Sequence, residues 1–314
     1  ESIAQAGIQT VAYTNDADFE GATHILVPGV GVWGSRRLEK ILHRATQKNI
    51  RRILWQMETL PPPDLPRDLA TRLLLRPTPH RAKGLSRSLD SALLRRLART
   101  LAATAPNLAE TISAQELRLP IREARYNKRL WRAGLLDEVI VCLETRRDFL
   151  ASMGIPATFM PFGYFGSDAP PPSSQTKDID VLYSGTRTPR RAKLLSALET
   201  GLAGSGYKLE VVEKGLYGDE RDRTIARSKL FLQLRNYPWE LPRLRLMMAV
   251  GGASLYVTEA FHDTRPFENG EHFLMAPHDD LLDAILQHLR DDDRRTRIVD
   301  QARRFVVGEL ELGG

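Results

Sequence analysis

At 314 residues the chain is long for one core and suits two domains of ordinary size. Its 42% hydrophobic and 27% charged residues predict a soluble globular protein rather than a disordered or fibrous one, and its longest apolar runs, such as Leu135–Leu143 broken by Asp137 and Glu138, are too short for a membrane span. The single cysteine, Cys142, excludes a disulfide framework or a cysteine-built metal site within one chain and fits a reducing cytoplasm.

The net charge of +6 is unevenly spread, with basic residues crowding Arg67–Arg99 and Arg118–Arg132 and acidic ones gathering toward the C-terminus. Such a field attracts nucleic acid, an anionic membrane face or phosphorylated substrates. Few aromatics interleave the basic stretches and no nucleic-acid module is present, which ranks nucleic acid last. Glu1–Ala6 reads as the end of a helix rather than a leader, with the expectation that an upstream strand and loop precede it.

In chain order, Gln9–Tyr13 and His24–Val27 read as strands, the second ending in the glycine-dense turn PGVGVWG. Leu38, Ile41, Leu42 and Ala45 fall at helical spacing within Ser35–Gln47, and Ile53–Trp55 reads as a further strand. This alternation predicts a parallel sheet. The proline block Pro61–Pro66 interrupts it. Beyond it, Leu89, Leu93, Leu97 and Leu101 recur every fourth residue beside Arg95, Arg96 and Arg99, either as a helix covering the sheet or as one lying on an anionic membrane surface. Alternation resumes at Val139–Leu143, Thr145–Met153 and Ala157–Met160. The stretch Pro161–Lys177, containing DAPPPSSQTK, reads as a linker region. Domain boundaries of 1–165, a linker at 166–177 and a second domain at 178–314 follow.

The second domain opens on strand Asp178–Tyr183 and continues through helix Ala192–Leu202, strand Lys208–Val212, helix Glu220–Arg227 and strand Lys229–Leu234. After Pro242 a further helix leads to the strand Ser254–Thr258, and helices Leu281–Leu289 and Asp293–Val307 close the chain. Ligands of open α/β sheets bind beyond the carboxyl ends of the strands. The turn SGTRTPRR therefore places the backbone N–H groups of Ser184, Gly185 and Thr186 beside a helix N-terminus, a suitable place for phosphate. Arg187, Arg190, Arg191 and Lys193 supply positive charge there, the arginines with a forked donor geometry. On the first domain, Gly29 and Gly31 and the residues Trp55 and Glu58 follow or end predicted strands and are the acceptor-side candidates.

The sequence lacks G-x-S-x-G, H-E-x-x-H and the kinase signatures, the turn SGTRTPRR is neither G-x-G-x-x-G nor a Walker loop, and the seven histidines are scattered. This disfavours triad hydrolysis, zinc-dependent hydrolysis, P-loop chemistry and hydride transfer. No metal and no resident cofactor is expected.

Three stretches carry a family resemblance: YGDERD (Tyr217–Asp222), the pattern R-L-x-x-x-(M/L)-A-x-G on Arg243, Leu244, Met248, Ala249 and Gly251, and DTRPFENGEHF (Asp263–Phe273). Over about residues 130–307 the chain resembles group-1 glycosyltransferases, in particular their CgeB-like (spore-protein) branch. The resemblance implies the GT-B architecture, α/β with two Rossmann-like domains facing across a cleft. It also implies transfer of a hexosyl-type group from a nucleotide sugar to an acceptor, with retention and without metal. It places Tyr217 and Gly218 near the base, Arg243, Gly251 and Gly252 in the donor pocket, and Glu240 beside the donor sugar, where Glu240 and Arg190 are the catalytic candidates. The family's helix glutamate is replaced by Leu246 or Met247, so Glu259 is the candidate ribose contact and His272 braces a turn. A nucleotide-sugar epimerase and a non-catalytic nucleotide-sugar-binding protein are the alternative readings.

Overall fold

The computed structural model describes residues 19–29, 35–57, 59–62, 99–100, 103, 117–160 and 176–310. The predicted strand Gln9–Tyr13, all of the Leu89–Leu101 stretch but residues 99–100, Gly31, Glu58 and most of the linker lie outside these residues. The chain divides into two compact units, Glu1–Pro161 and Phe162–Gly314.

The first unit holds β1 (His24–Pro28), α1 (Ser35–Gln47), β2 (Arg51–Gln56), α2 (Arg118–Arg132), β3 (Glu138–Val141), α3 (Glu144–Ser152) and β4 (Thr158–Phe159). Among the described residues its strands form a parallel sheet in the order β1-β2-β3-β4. The apolar stripe of α1 is the one its spacing predicts, since Leu38, Ile41, Leu42 and Ala45 are all buried. Sequence reading did not identify α2, whose basic residues hide the buried Ile121, Ala124 and Leu130.

The start of β2 is fixed by charge. Buried Arg52 donates its Nε and Nη2 to Asp137 at 2.8 and 2.6 Å, and its backbone N–H reaches the same carboxylate at 2.7 Å. These bonds from Arg52 hold the Asp137 carboxyl below the usual carboxylate range.

The second unit holds β5 (Ile179–Ser184), α4 (Pro189–Gly204), β6 (Leu209–Val212), α5 (Gly218–Arg227), β7 (Ser228–Gln233), α6 (Arg243–Gly251), β8 (Leu255–Glu259), β9 (Leu274–Ala276), α7 (Leu281–Arg290) and α8 (Asp292–Glu309). All five strands are parallel, in the order β6-β5-β7-β8-β9. Being covered on both faces, they read as continuous apolar runs whose side chains alternate between two cores. Val181, Tyr183, Leu230, Leu232, Leu255 and Val257 pack with Leu195, Leu198 and Leu202 of α4 and with α7. Leu182, Phe231 and Tyr256 point the other way, onto Leu246 and Val250 of α6 and Ala302 and Val306 of α8.

The chain leaves β5 for β6 on one side and returns to β7 on the other. The neighbouring strands β5 and β7 therefore send their following helices to opposite faces, which is the topological switch point of an open sheet. No helix among the described residues is long and apolar enough to cross a membrane.

Replacing Asp137 with Asn leaves the Arg52 guanidinium without its anion and should cost about 1–3 kcal/mol at neutral pH. Because the folded carboxyl titrates below its unfolded value, this stabilisation exists above the unfolded carboxylate range and is lost as pH falls through the lower folded value. Urea unfolding of the wild type and Asp137→Asn should differ at pH 7 and converge only as the pH falls below the usual carboxylate range.

Candidate anion site at the carboxyl edge of the second sheet

The loops after β5, β6, β7 and β8 leave the same edge of the sheet because the strands are parallel. The loop after β5 is shaped by Gly185, whose N–H continues the ladder to Val212 carbonyl at 3.0 Å. A Cβ at Gly185, at φ +154°, would sit 3.2 Å from the Tyr183 hydroxyl. The buried Tyr183 hydroxyl donates to the Thr186 carbonyl at 3.3 Å, and its burial raises the phenol's affinity for its proton. Thr188 then caps α4, with Pro189 in the first turn where its missing N–H costs nothing.

Two consecutive arginines of that first turn reach different strands. Arg191 is buried; it donates Nη2 to the Leu234 carbonyl at 2.6 Å and Nη1 to the Thr186 carbonyl at 3.3 Å. It thereby ties the loop after β5 to the loop after β7 across the switch point. Its Nε is buried without a partner, and desolvation weakens its hold on its proton, aggravated by Arg245 and Arg190 and opposed by Tyr183 and Glu259. Arg190 turns to Glu259 at the end of β8, donating Nη1 at 3.1 Å and Nη2 to the other oxygen.

Two further arginines, which sequence reading passed over, complete the cluster. Arg235, just beyond β7, donates its backbone N–H to Glu259 at 3.0 Å and Nη1 to the Ala260 carbonyl at 3.0 Å. Arg245, in the first turn of α6, donates to the Ser184 carbonyl and lies 3.8 Å from where a Gly185 Cβ would be. An i, i+2 pairing with Arg243 gave Arg245 no distinguishing signal, and Arg235 sat in an apparent loop. Arg190, Arg191, Arg235 and Arg245 thus surround one strand-end region, with the Glu259 carboxylate among them. The side-chain amide oxygen Oε1 of Gln233, the last residue of β7, is also buried without a partner.

The other predicted residues fall into place around this cluster or away from it. Arg187 pairs with Glu213 at 3.1 Å and Glu199 at 3.9 Å, so its charge is largely answered by its own unit. Lys193 is exposed on α4. Tyr217, 75% exposed, and Gly218 open α5 on the same edge, after β6. Glu240 lies half-buried in the loop after β7, between buried Trp239 and Leu241. Arg243 braces the following loop by donating to the Arg265 carbonyl.

Gly251 and Gly252 are not at this edge. They end α6 and feed the amino end of β8, where a Cβ on Gly252 would meet Ile225 Cγ2 at 2.6 Å and where Lys177 donates to the Gly252 carbonyl at 3.0 Å. Close packing of α6 against α5 accounts for the glycine at 252. Glu259 is 1% exposed, and both of its oxygens accept from arginine, which turns it toward the cluster rather than toward a ribose in solvent. Leu246 and Met247, the two positions where the resemblance expects a glutamate, are both buried in the core. His272 does brace its turn: its Nδ1 accepts the Glu268 N–H at 3.0 Å, its ring lies 4.4 Å from that of Phe305, and burial keeps its proton affinity below the usual imidazole range.

In the first unit, Gly29 follows β1 and donates to the Trp55 carbonyl at 2.8 Å. Trp55 lies inside β2, paired with Pro28 and Ile140, not in the loop beyond it. The strand runs one residue further than its apolar core suggests because Gln56 is buried and bonded by Asn127 at 2.7 Å.

Replacing Arg191 with Met removes donors from two carbonyls at the switch point and should destabilise the second unit by about 1–3 kcal/mol. Lys193→Met, on the exposed face, should shift stability by no more than about 0.5 kcal/mol. Urea denaturation followed by tryptophan fluorescence separates the two.

Comparison with known proteins locates the same unit. Residues 187–311 match the sequence profile of the glycosyl transferase-like family. The chain is similar in structure to Anabaena HepE, solved with UDP and glucose, at 11% identity and a TM-score of 0.52, over 92% of this chain and 95% of HepE. Similarity to S. aureus TarM covers 60% of this chain at 17% identity and a TM-score of 0.49, and the chain spans only 43% of TarM. A glycosyltransferase of Rickettsia africae is similar over 93% of this chain and 95% of its own, at 11% identity and a TM-score of 0.44. No match is found among curated proteins. At such identity the likeness to HepE is one of fold, and it gives the chain its fold class: α/β with two Rossmann-like units, the GT-B class.

Proposed function

We propose that the chain is a glycosyltransferase that moves a hexosyl-type group from a nucleoside-diphosphate sugar to an acceptor. The observation that carries the reading is the convergence of Arg190, Arg191, Arg235 and Arg245 with the N-terminus of α4 at the switch point of a 2-1-3-4-5 sheet. A glycosyl donor leaves a diphosphate behind, so its transition state needs oriented positive charge where that anion develops. The match of residues 187–311 to the glycosyl transferase-like family supports the same assignment.

In this reading residues 178–314 bind the donor, 166–177 link the two domains, and 1–165 carry the acceptor side, with Gly29 and the end of β2 as its described part. Arg190 and the first-turn N–H groups of α4 hold the diphosphate. Tyr217, exposed and placed after β6, faces the base, and Glu240 lies beside the sugar. The bond from the anomeric carbon to the diphosphate oxygen breaks with its electron pair on the phosphate. The acceptor oxygen bonds to that carbon and its proton passes to the leaving phosphate. Resemblance to group-1 enzymes, the CgeB-like branch in particular, favours front-face transfer with retention, and neither a metal nor a resident cofactor enters this scheme. A cytoplasmic location accompanies it, where nucleotide sugars are made.

The burial of Leu246 favours one competing reading, a nucleotide-sugar-binding protein without turnover, since the standard acidic contact on α6 is gone. Titration calorimetry with UDP, GDP and dTDP should show one of them binding. Arg190→Ala should weaken it about 10- to 100-fold, the worth of one or two charge-assisted hydrogen bonds. UDP is the first to try, because HepE is solved with UDP and glucose. Binding by none of the three contradicts the donor assignment. Binding without release of nucleoside diphosphate from any matching sugar nucleotide, with or without acceptors, favours the non-catalytic reading.

A further inference from the structure

Glu259 is a carboxylate with no exposure to speak of, at 1%, yet it stands among arginines that are partly open, Arg190 at 41% and Arg235 at 29%. A buried carboxylate is retained only where its oxygens are paired. Here Oε2 accepts from Arg190 Nη1 at 3.1 Å and from the Arg235 N–H at 3.0 Å, while Oε1 accepts from Arg190 Nη2, with Arg235 Nε 3.9 Å away. The strand supplying it is rigid: Glu259 is the last residue of β8 and pairs in register with Ala276, and its neighbour Thr258 donates to the Gln233 carbonyl at 2.9 Å. The carboxylate is therefore a fixed point that takes the Arg190 guanidinium on both oxygens and fixes the main chain of Arg235, whose own guanidinium donates Nη1 to the Ala260 carbonyl beside it.

We propose that Glu259 is a positioning residue: it holds the Arg190 guanidinium directly and, through the Arg235 backbone N–H, the loop that presents Arg235, so that the two guanidinia stand as a preset pair selecting a diphosphate over a single phosphate. The inference rests on the donor reading above, but assigns Glu259 a part different from ribose contact. Its sign is what makes it testable. A negative charge beside an anion site weakens anion binding by Coulomb repulsion. Removing it would therefore tighten binding if Glu259 were only a charge, and weaken binding if it is a positioning residue, since the ordering of Arg190 and of the loop carrying Arg235 would then fall in larger part to the ligand.

Calorimetric titrations with inorganic pyrophosphate and inorganic phosphate, on wild type, Glu259→Gln, Glu259→Asp, Arg190→Ala and the Arg190→Ala/Glu259→Gln double variant, decide between these. Pyrophosphate binding should weaken about tenfold in both Glu259 variants, the size of one charge-assisted hydrogen bond. The preference over phosphate should shrink with it. In the Arg190→Ala background Glu259→Gln should add little, because the effect passes through Arg190. Glu259→Asp keeps the charge and withdraws it by one methylene, so it decides the matter if the Gln variant does not fold.

Equal or tighter pyrophosphate binding in the Glu259 variants, or a full effect in the Arg190→Ala background, overturns the positioning role while leaving the donor reading intact. A wild-type protein that binds neither pyrophosphate nor any nucleoside diphosphate overturns both. UDP binding that is lost in Glu259→Gln while pyrophosphate binding is unchanged returns Glu259 to a nucleoside contact.

Discussion

The second unit depends on the Arg191 guanidinium, which lies in the interior at the point where the sheet changes winding direction. Leu234 and Thr186 belong to loops leaving adjacent strands toward helices on opposite faces, and Arg191 donates to both carbonyls beside the donor each already has from its own strand end, Gln233 Nε2 and the Tyr183 hydroxyl. One side chain from the first turn of α4 reaches both. It therefore joins the loop after β5, the start of the following helix and the end of β7 into one piece. The cost is a desolvated cation, answered by carbonyl dipoles, by the nearby Glu259 charge and by the Tyr183 oxygen.

Everything placed around that clamp adds positive charge faster than negative. Arg187 is balanced by Glu213 and Glu199, and Glu259 serves Arg190 and Arg235 together, while Arg191 and Arg245 are held by carbonyls. A carbonyl orients a guanidinium without neutralising it. The edge therefore keeps a surplus of fixed positive charge in a setting less polar than water, where such charge acts on an anion more strongly than it would on an open surface. The helix N-terminus of α4 adds partial positive charge in the same direction. This is the physical content behind the glycosyl-donor reading, and it is independent of the family resemblance.

Much of this was legible in the sequence. Buried parallel strands announce themselves as apolar runs, and Val181–Tyr183, Leu230–Leu232 and Leu255–Val257 did so. The start of α4 was readable from Thr188 and Pro189, and with it the edge where Arg190 and Arg191 sit. What the sequence hid was distance. Gly251 and Gly252 stand only seven or eight positions before Glu259, but a strand of five residues spans roughly 17 Å, so they lie at the opposite edge. Arg235 and Arg245 were hidden for the complementary reason: they lie far from SGTRTPRR in the chain and reach it only through pairing of β7 with β5 and packing of α6. Glu259 was picked out as functional, but its partners, and hence its direction, came from the fold. In the first unit the polar contacts of Gln56 made β2 longer than its apolar residues indicated.

Amide hydrogen exchange with and without a nucleoside diphosphate tests the central claim most directly, because it reports where the ligand acts rather than whether it binds. Added UDP, GDP or dTDP, whichever binds, should slow exchange along the carboxyl edge, in segments 184–191, 234–240 and 259–261. It should leave the amino edge, segments 176–178 and 251–254, unchanged. Protection confined to the amino edge, or absent from the carboxyl edge at saturating ligand, would contradict the account.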